Sequence, residues 1–200
     1  MALGILGGTF DPIHLAHLMM AQAAQETLAL DRVLFVPAGD PPHKQGAGIS
    51  PAYHRRAMVE LALAGSPEFE LCPVDLDRPG PHYSTATVEL IRRQHNLSAD
   101  DCFFIIGGDS LLDLPEWHNP AALVSLCRLA VMHRPGYQPD TTALERRLPG
   151  LTGRLNWVPL PQIDLAASEI RNRVRRGQSI RFWVPEPVRH YIARYRLYQV

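Results

Sequence analysis

His14 and His17 stand three residues apart, just behind a pair of glycines, in the string Gly4-Ile5-Leu6-Gly7-Gly8-Thr9-Phe10-Asp11-Pro12-Ile13-His14-Leu15-Ala16-His17. At that spacing near a helix start, two imidazoles project to one side. They can donate hydrogen bonds to a triphosphate and to the charge that develops on it in a reaction. They can equally form a structural pair, or ligate a metal with Asp11 as a third ligand. Glycines at a strand end let the backbone approach a ligand, so that main-chain N–H groups face phosphate. A glycine pair can also be a plain turn, and the GxGxxG dinucleotide fingerprint is absent. Asp11 is expected to fix the loop through local backbone hydrogen bonds.

A second chemical signal is a single cation. Lys44 is the only lysine in the chain, against nineteen arginines. A merely solvated cation could have been arginine here as it is everywhere else. Lysine supplies a compact, mobile point charge where arginine supplies a planar fork, so Lys44 is read as having a specific role. The arginines at 171, 173, 175 and 176 read mostly as a solvated helix face. His43, His54, His82, His95 and His190 read as ordinary loop or surface histidines.

These groups need elements to position them. Apolar, β-branched runs at Ala2–Leu6, Arg32–Val36, Phe69–Val74, Cys102–Ile106, Arg128–His133 and Arg154–Val158 predict short buried strands. Helical spacing between them predicts helices over Ala16–Leu30, Pro51–Ala64, Thr85–His95, Pro120–Leu126 and Thr141–Leu148. Ser168–Arg176 and Pro185–Tyr198 predict a helical C-terminal part, about 165–200, of a single domain spanning 1–200. The alternation predicts an α/β fold, Rossmann-like and doubly wound, with a mostly parallel sheet and helices on both faces. In such a fold a ligand sits beyond the carboxyl ends of the strands, where the strand order reverses.

Composition narrows the function classes. Basic and acidic residues balance at 20 each, without the basic excess expected of a protein that grips nucleic acid. No apolar run approaches the roughly 18 residues needed to cross a bilayer, and the N-terminus lacks the basic flank of a secretory signal. Cys72, Cys102 and Cys127 are odd in number and lie in apolar stretches, which predicts buried thiols in a reducing compartment, the cytoplasm.

The whole string Gly7-Gly8-Thr9-Phe10-Asp11-Pro12-Ile13-His14-Leu15-Ala16-His17 resembles the GGTFDPxHxGH signature of bacterial nicotinate-nucleotide adenylyltransferases, of the nucleotidyltransferase superfamily. Four further motifs follow in the family's order. Pro41-Pro42-His43-Lys44 resembles its PPHK loop, and His82-Tyr83-Ser84-Thr85-Ala86-Thr87-Val88 its SYTxDTL segment. Phe104–Ser110 with Leu114 and Trp117 resembles FIIGxDS…L..W. Ser168-Glu169-Ile170-Arg171, then Ser179-Ile180-Arg181 and Val184-Pro185, resemble TxIR…S…VP. The chain departs from the pattern at Ala16, where the family has glycine, and at Ala86, where it has aspartate. It departs again at Ala166-Ala167, where two hydroxyls are missing.

The resemblance implies direct in-line transfer of the adenylyl group of ATP to nicotinate mononucleotide, giving nicotinate adenine dinucleotide and pyrophosphate. It implies catalytic roles for His14, His17, Lys44 and Arg171. Gly7, Gly8, Thr9, Phe10, Gly107, Asp109 and Ser168 would bind ATP, with Asp109 accepting hydrogen bonds from ribose hydroxyls. Lys44, Ser84, Thr85 and Trp117 would bind the mononucleotide, Trp117 stacking on the pyridine ring. Alternatively Trp117 is core packing, and Asp109 is a helix cap for 110–114. No protein metal site is expected; a Mg²⁺ would be held mainly by the substrate phosphates. The partners are then ATP and the mononucleotide, with no nucleic acid and no membrane, and with room for a homo-oligomer. The rival readings are a nicotinamide mononucleotide or phosphopantetheine acceptor, and a non-enzymatic nucleotide-binding regulator that the alanine departures would suit.

Overall fold

The structure is a computed structural model that describes residues 1–39, 48–133, 140–161 and 163–199. Its strands are β1 (Leu3–Gly8), β2 (Arg32–Pro37), β3 (Phe69–Leu71), β4 (Cys102–Gly107), β5 (Arg128–His133) and β6 (Leu155–Pro159). They form one sheet in the order β3-β2-β1-β4-β5-β6. Every neighbouring pair is parallel, so the expected mostly parallel sheet is parallel throughout these strands. The chain first grows outward from β1 to β3, then returns to lay β4 against the other side of β1. The reversal lies between β1 and β4, whose register pairs Ile5 with Phe104.

The helices are α1 (Leu15–Leu28), α2 (Ala52–Leu63), α3 (Ser84–His95), α4 (Gly108–Asp113), α5 (Pro120–Leu126), α6 (Thr141–Arg147), α7 (Ala167–Arg175) and α8 (Glu186–Arg194). Side chains alternate across a strand, so each strand feeds two cores. Leu3, Ile5, Leu34, Val36, Phe104, Ile106, Leu129 and Val131 face α3 to α6, meeting Val88, Ile91, Leu111, Leu123 and Leu144. Val33, Phe35, Phe103, Ile105, Ala130 and Met132 face α1, α2, α7 and α8, meeting Ala24, Met58, Val59, Ile170, Val188 and Ile192. The sheet is thus doubly wound, and each fully buried Leu, Ile or Val contributes roughly 1.5–3 kcal/mol.

The sequence and the structure differ at element ends. β3 stops at Leu71 rather than continuing to Val74, although the Cys72 N–H still donates to the Phe35 carbonyl at 2.9 Å. Pro73 then has no N–H to offer, and the amides of Leu76 and Asp77 turn back onto its carbonyl. α8 ends at Arg194 rather than reaching Tyr198, because Arg196 and Tyr198 adopt φ of +50° and +65°. α4 and the 3₁₀ turn Leu114–Glu116 are too short to show a helical period in the sequence. The three cysteines are free and buried as expected, and burial pushes the Cys102 thiol up to about 12. No described helix is long and apolar enough to cross a membrane.

Candidate active site

β1 ends in a cavity of about 480 Å³ at the reversal point, lined there by Gly7, Gly8 and Thr9 and across from them by Ile106 and Gly107 of β4. The loop after β1 turns sharply at Phe10, whose φ is +49°. The Phe10 ring folds back beneath the strand end, 2% exposed. A Cβ on Gly8 would stand 2.8 Å from that ring, so glycine is required for the strand end to lie over it. Phe10 therefore forms the floor under the glycines rather than part of the lining, and its ring meets His17 edge-on at 4.9 Å.

His14 precedes α1 in extended backbone, and His17 lies in its first turn. The rings stack at 3.7 Å, as a three-residue spacing at a helix start allows. The His14 N–H donates to His17 Nδ1 at 3.3 Å. With Nδ1 serving as acceptor, the proton of a neutral His17 sits on Nε2. His17 lines the cavity; His14 is 5% exposed and lies behind it. The His14 Nδ1 is buried without a hydrogen-bond partner among the described residues, and burial lowers its pKa from 6.5 to about 4. His14 is therefore neutral near pH 7.

Asp11 fixes the loop, but not through local bonds. Its carboxylate accepts from the Tyr198 hydroxyl at 2.7 Å and from the Ser50 N–H at 3.1 Å. Its main-chain carbonyl accepts from Arg171 Nη1 at 2.7 Å. Each carboxylate oxygen thus has a donor from a distant segment. Arg55 of α2, only 2% exposed, completes the arrangement. Its guanidinium donates to the carbonyls of Ser50, Thr9, Ala38 and Gly39 at 3.0, 2.9, 2.6 and 3.1 Å. One planar fork ties together the segments that follow β1 and β2 and the start of α2. Burial lowers the Arg55 pKa, and the neighbouring Asp11 opposes that shift.

The opposite end of the cavity is aromatic. Trp117, half-buried, lines it and packs edge-on against Phe104 at 6.2 Å, so it is both packing and exposed ring face. Tyr83 stacks on His118 at 4.0 Å, and both line the same end. Ser84 begins α3 and also lines the cavity. The Thr85 hydroxyl points away, donating to the carbonyls of His118 and Asn119 at 3.1 and 3.3 Å. It ties the start of α3 to the segment that carries Trp117. Among the described residues no side chain caps the N-terminus of α3, and its first turn holds no acidic residue, so its positive end suits an anion.

A polar relay that no local sequence pattern marks holds this end. Thr87, buried in α3, donates to the Asp75 carboxylate at 2.8 Å, and Arg78 pairs with the same carboxylate at 2.7 Å. His82 is not a surface histidine: it is 8% exposed, sits 3.0 Å by Nε2 from the Arg78 carbonyl, and lines the cavity. Any Cβ at Gly39 would run into the Asp75 carbonyl and the His82 ring, so only glycine lets the end of β2 approach this segment. His54 is also buried, between α2 and α8, with Nδ1 3.0 Å from the Tyr191 hydroxyl.

Of the remaining expected residues, Gly107 precedes α4 at the cavity wall, and Ser110 joins the lining. Asp109 is exposed in the first turn of α4 and does not cap it. Ser168 is exposed in the first turn of α7, three residues before Arg171. Ala166, where the family has a hydroxyl, leaves α7 without a side-chain cap. Lys44 and the Pro41-Pro42-His43 stretch before it lie outside the described residues. Among the described residues, no group of three His, Cys, Asp or Glu could hold a metal ion.

Residues 5–174 match the family described as cytidylyltransferase-like. A probable nicotinate-nucleotide adenylyltransferase of Thermomicrobium roseum is 49% identical over 197 residues, covering 98% of this chain and 91% of that one. A protein of the same description from Roseiflexus sp. strain RS-1 is 41% identical, covering 98% of each chain. Among solved structures, Plasmodium falciparum nicotinic acid mononucleotide adenylyltransferase complexed with NaAD superposes with a TM-score of 0.79, covering 98% of this chain and 97% of that one. At 20% identity this last likeness speaks for the fold.

Proposed function

Because the chain belongs to the nicotinate-nucleotide adenylyltransferase family, within the cytidylyltransferase-like proteins, we propose that its cavity joins the adenylyl group of ATP to nicotinate mononucleotide. The products are nicotinate adenine dinucleotide and pyrophosphate. The observation that carries this reading is one continuous cavity with two unlike ends. The β1 strand end from Gly7 to Thr9 and His17 line one end; ring faces and the start of α3 line the other.

The 5′-phosphate oxygen of the mononucleotide attacks the α-phosphorus of ATP, and the bond to the β-phosphate oxygen breaks in line. No protein nucleophile takes part. The chain's task is positioning and stabilisation of charge. Gly7, Gly8 and Thr9 bring main-chain groups to the phosphates, while His17 offers Nε2–H. The neutral His14 supports His17 through its main-chain N–H and stacked ring. Its side chain lies behind the cavity wall, so its part is to hold His17 in place. Arg171 holds the Asp11 carbonyl through Nη1 and keeps its remaining donors for the leaving phosphates, with Ser168 one turn away, and Lys44 adds the mobile cation. Asp109 and Gly107 serve the ribose side of ATP.

At the far end Trp117 stacks on the pyridine ring, with Ser84 beside it and Thr85 fixing the wall. The carboxylate of nicotinate meets the N-terminus of α3, whose partial positive charge favours an anion over the neutral amide of nicotinamide. A Mg²⁺ fits as a companion of the phosphates, which carry the hard oxygen donors that the described side chains do not cluster to provide. When bound it would neutralise phosphate charge. The buried thiols suit a reducing compartment, and we place the enzyme in the cytoplasm.

The test offers purified protein ATP and Mg²⁺ with nicotinate mononucleotide, nicotinamide mononucleotide or phosphopantetheine in separate reactions. Pyrophosphate and the joined product are both measured. The expected result is turnover strongest with the nicotinate acceptor. Turnover with the amide alone would overturn the role given to α3, and silence with all three would overturn the enzymatic reading.

A further inference from the structure

The tail that follows α8 reaches back to the first loop. The Tyr198 hydroxyl donates to Asp11 Oδ1 at 2.7 Å, a contact between residues 187 positions apart. It also lies 3.9 Å from Met58 Sδ on α2. Asp11 sits midway between the cavity-lining glycines and the two histidines. Its other carboxylate oxygen takes the Ser50 N–H and its carbonyl takes Arg171. Burial and the adjacent carboxylate both push the Tyr198 pKa upward, so the phenol stays a donor across any working pH. Asp11 itself is 3% exposed, and a polar group so buried depends strongly on its donors.

We propose that Tyr198 is a positioning residue for adenylyl transfer, acting through Asp11 to hold the loop between Gly8 and His14 in its reactive shape. This rests on the reading of the cavity as an adenylyltransferase site. The loop has few alternatives to this anchor, because Phe10 takes a left-handed backbone and, among the described residues, Asp11 finds its carboxylate donors in distant segments. Loss of the hydroxyl lets the loop relax, which misaligns the main-chain donors and His17 relative to the α-phosphate. The ring end, held separately by Thr85 and the Asp75–Thr87 pair, keeps its shape.

The test is Tyr198→Phe, which keeps the ring and removes the donor. It is assayed where circular dichroism shows the variant as fully folded as the parent. The expected result is a kcat lowered roughly tenfold, since small misplacements of reacting groups carry large rate losses. The KM for the mononucleotide stays within about twofold, as its site does not depend on this loop. Amide hydrogen exchange across 7–13 rises in the variant while the strands stay protected. In an Asp11→Asn background, the further loss on Tyr198→Phe shrinks to less than about twofold, because the two residues act as one unit. A parental kcat in Tyr198→Phe, or unchanged exchange across 7–13, overturns the proposal. So does an equal further loss in the Asp11→Asn background. If Asp11→Asn does not fold, the kcat and exchange of Tyr198→Phe decide alone. A parent that transfers no adenylyl group refutes the reading of the site, and the exchange experiment still tests the link between Tyr198 and the loop.

Discussion

At the β1 end of the cavity the wall is built around a glycine strand end and His17, held from behind by charged groups; at the α3 end it is aromatic faces, held by a short polar relay. Arg55 and Arg171 lie outside the lining, yet Arg55 fixes the carbonyls of Thr9, Ala38 and Gly39, and Arg171 fixes that of Asp11. Trp117, Tyr83 and Ser84 do enter it, and Thr85 and Thr87 tie them down from their own helix. The contrast follows from what each end recognises. Phosphate is bound by directional donors, whose geometry must be rigid to work on a transition state. A flat ring is bound by area and tolerates small shifts.

The sharpest break of this contrast is His17→Ala, which should lower kcat by about 10²–10³ as a transition-state donor is lost. Its thermal unfolding should stay close to the parent's. Near-normal turnover in that variant would place the chemistry elsewhere in the cavity. Next comes Arg55→Lys: a lysine cannot serve four carbonyls at once, so the loops lose main-chain partners. We expect a loss of about 3 kcal/mol in urea unfolding, from buried acceptors left unmet.

The buried His14 gives a pH signature at the same end. Its folded pKa, about 4, lies below the ordinary 6.5, so the unfolded chain takes up a proton that the folded chain refuses. The stability it contributes is full above about pH 6.5 and is lost as pH falls towards 4. Unfolding measured at pH 7 and pH 4.5 should show the parent losing about 2 kcal/mol more than His14→Gln. Equal losses would mean that His14 accepts a proton while folded. The smallest effect belongs to the ring end. Trp117→Ala should raise the KM for the mononucleotide roughly tenfold, the worth of one stacked ring, with kcat changed much less. A kcat loss as large as that of His17→Ala would erase the distinction between the two ends.

Much of the first loop was legible in the sequence because its determinants are close together. The glycines, the following turn and the two histidines all act within the stretch from Gly7 to His17. The strands were legible from their apolar runs, within a few residues at their ends. Arg55 was not, because an arginine inside an amphipathic helix looks like any solvated cation until the loops of β1 and β2 close over it. His82 and Asp75 were missed likewise: nothing local marks a loop residue as buried when the burial comes from Gly39, far back along the chain. The motif points to Thr85 through its main chain, and the fold adds that its hydroxyl turns onto the His118 carbonyl.

By itself the sequence determined the alternation of strands and helices, the glycine-bearing strand end and the pair of imidazoles at the start of α1. These depend on side-chain period, backbone freedom and helical spacing, which act over a few residues. Only the tertiary structure decided which side chains would hold that strand end in place. The partners of Asp11 lie 39, 160 and 187 residues away. Such partners are chosen by how β1, α2, α7 and the tail after α8 pack, and the desolvation of the buried carboxylate makes those distant donors necessary.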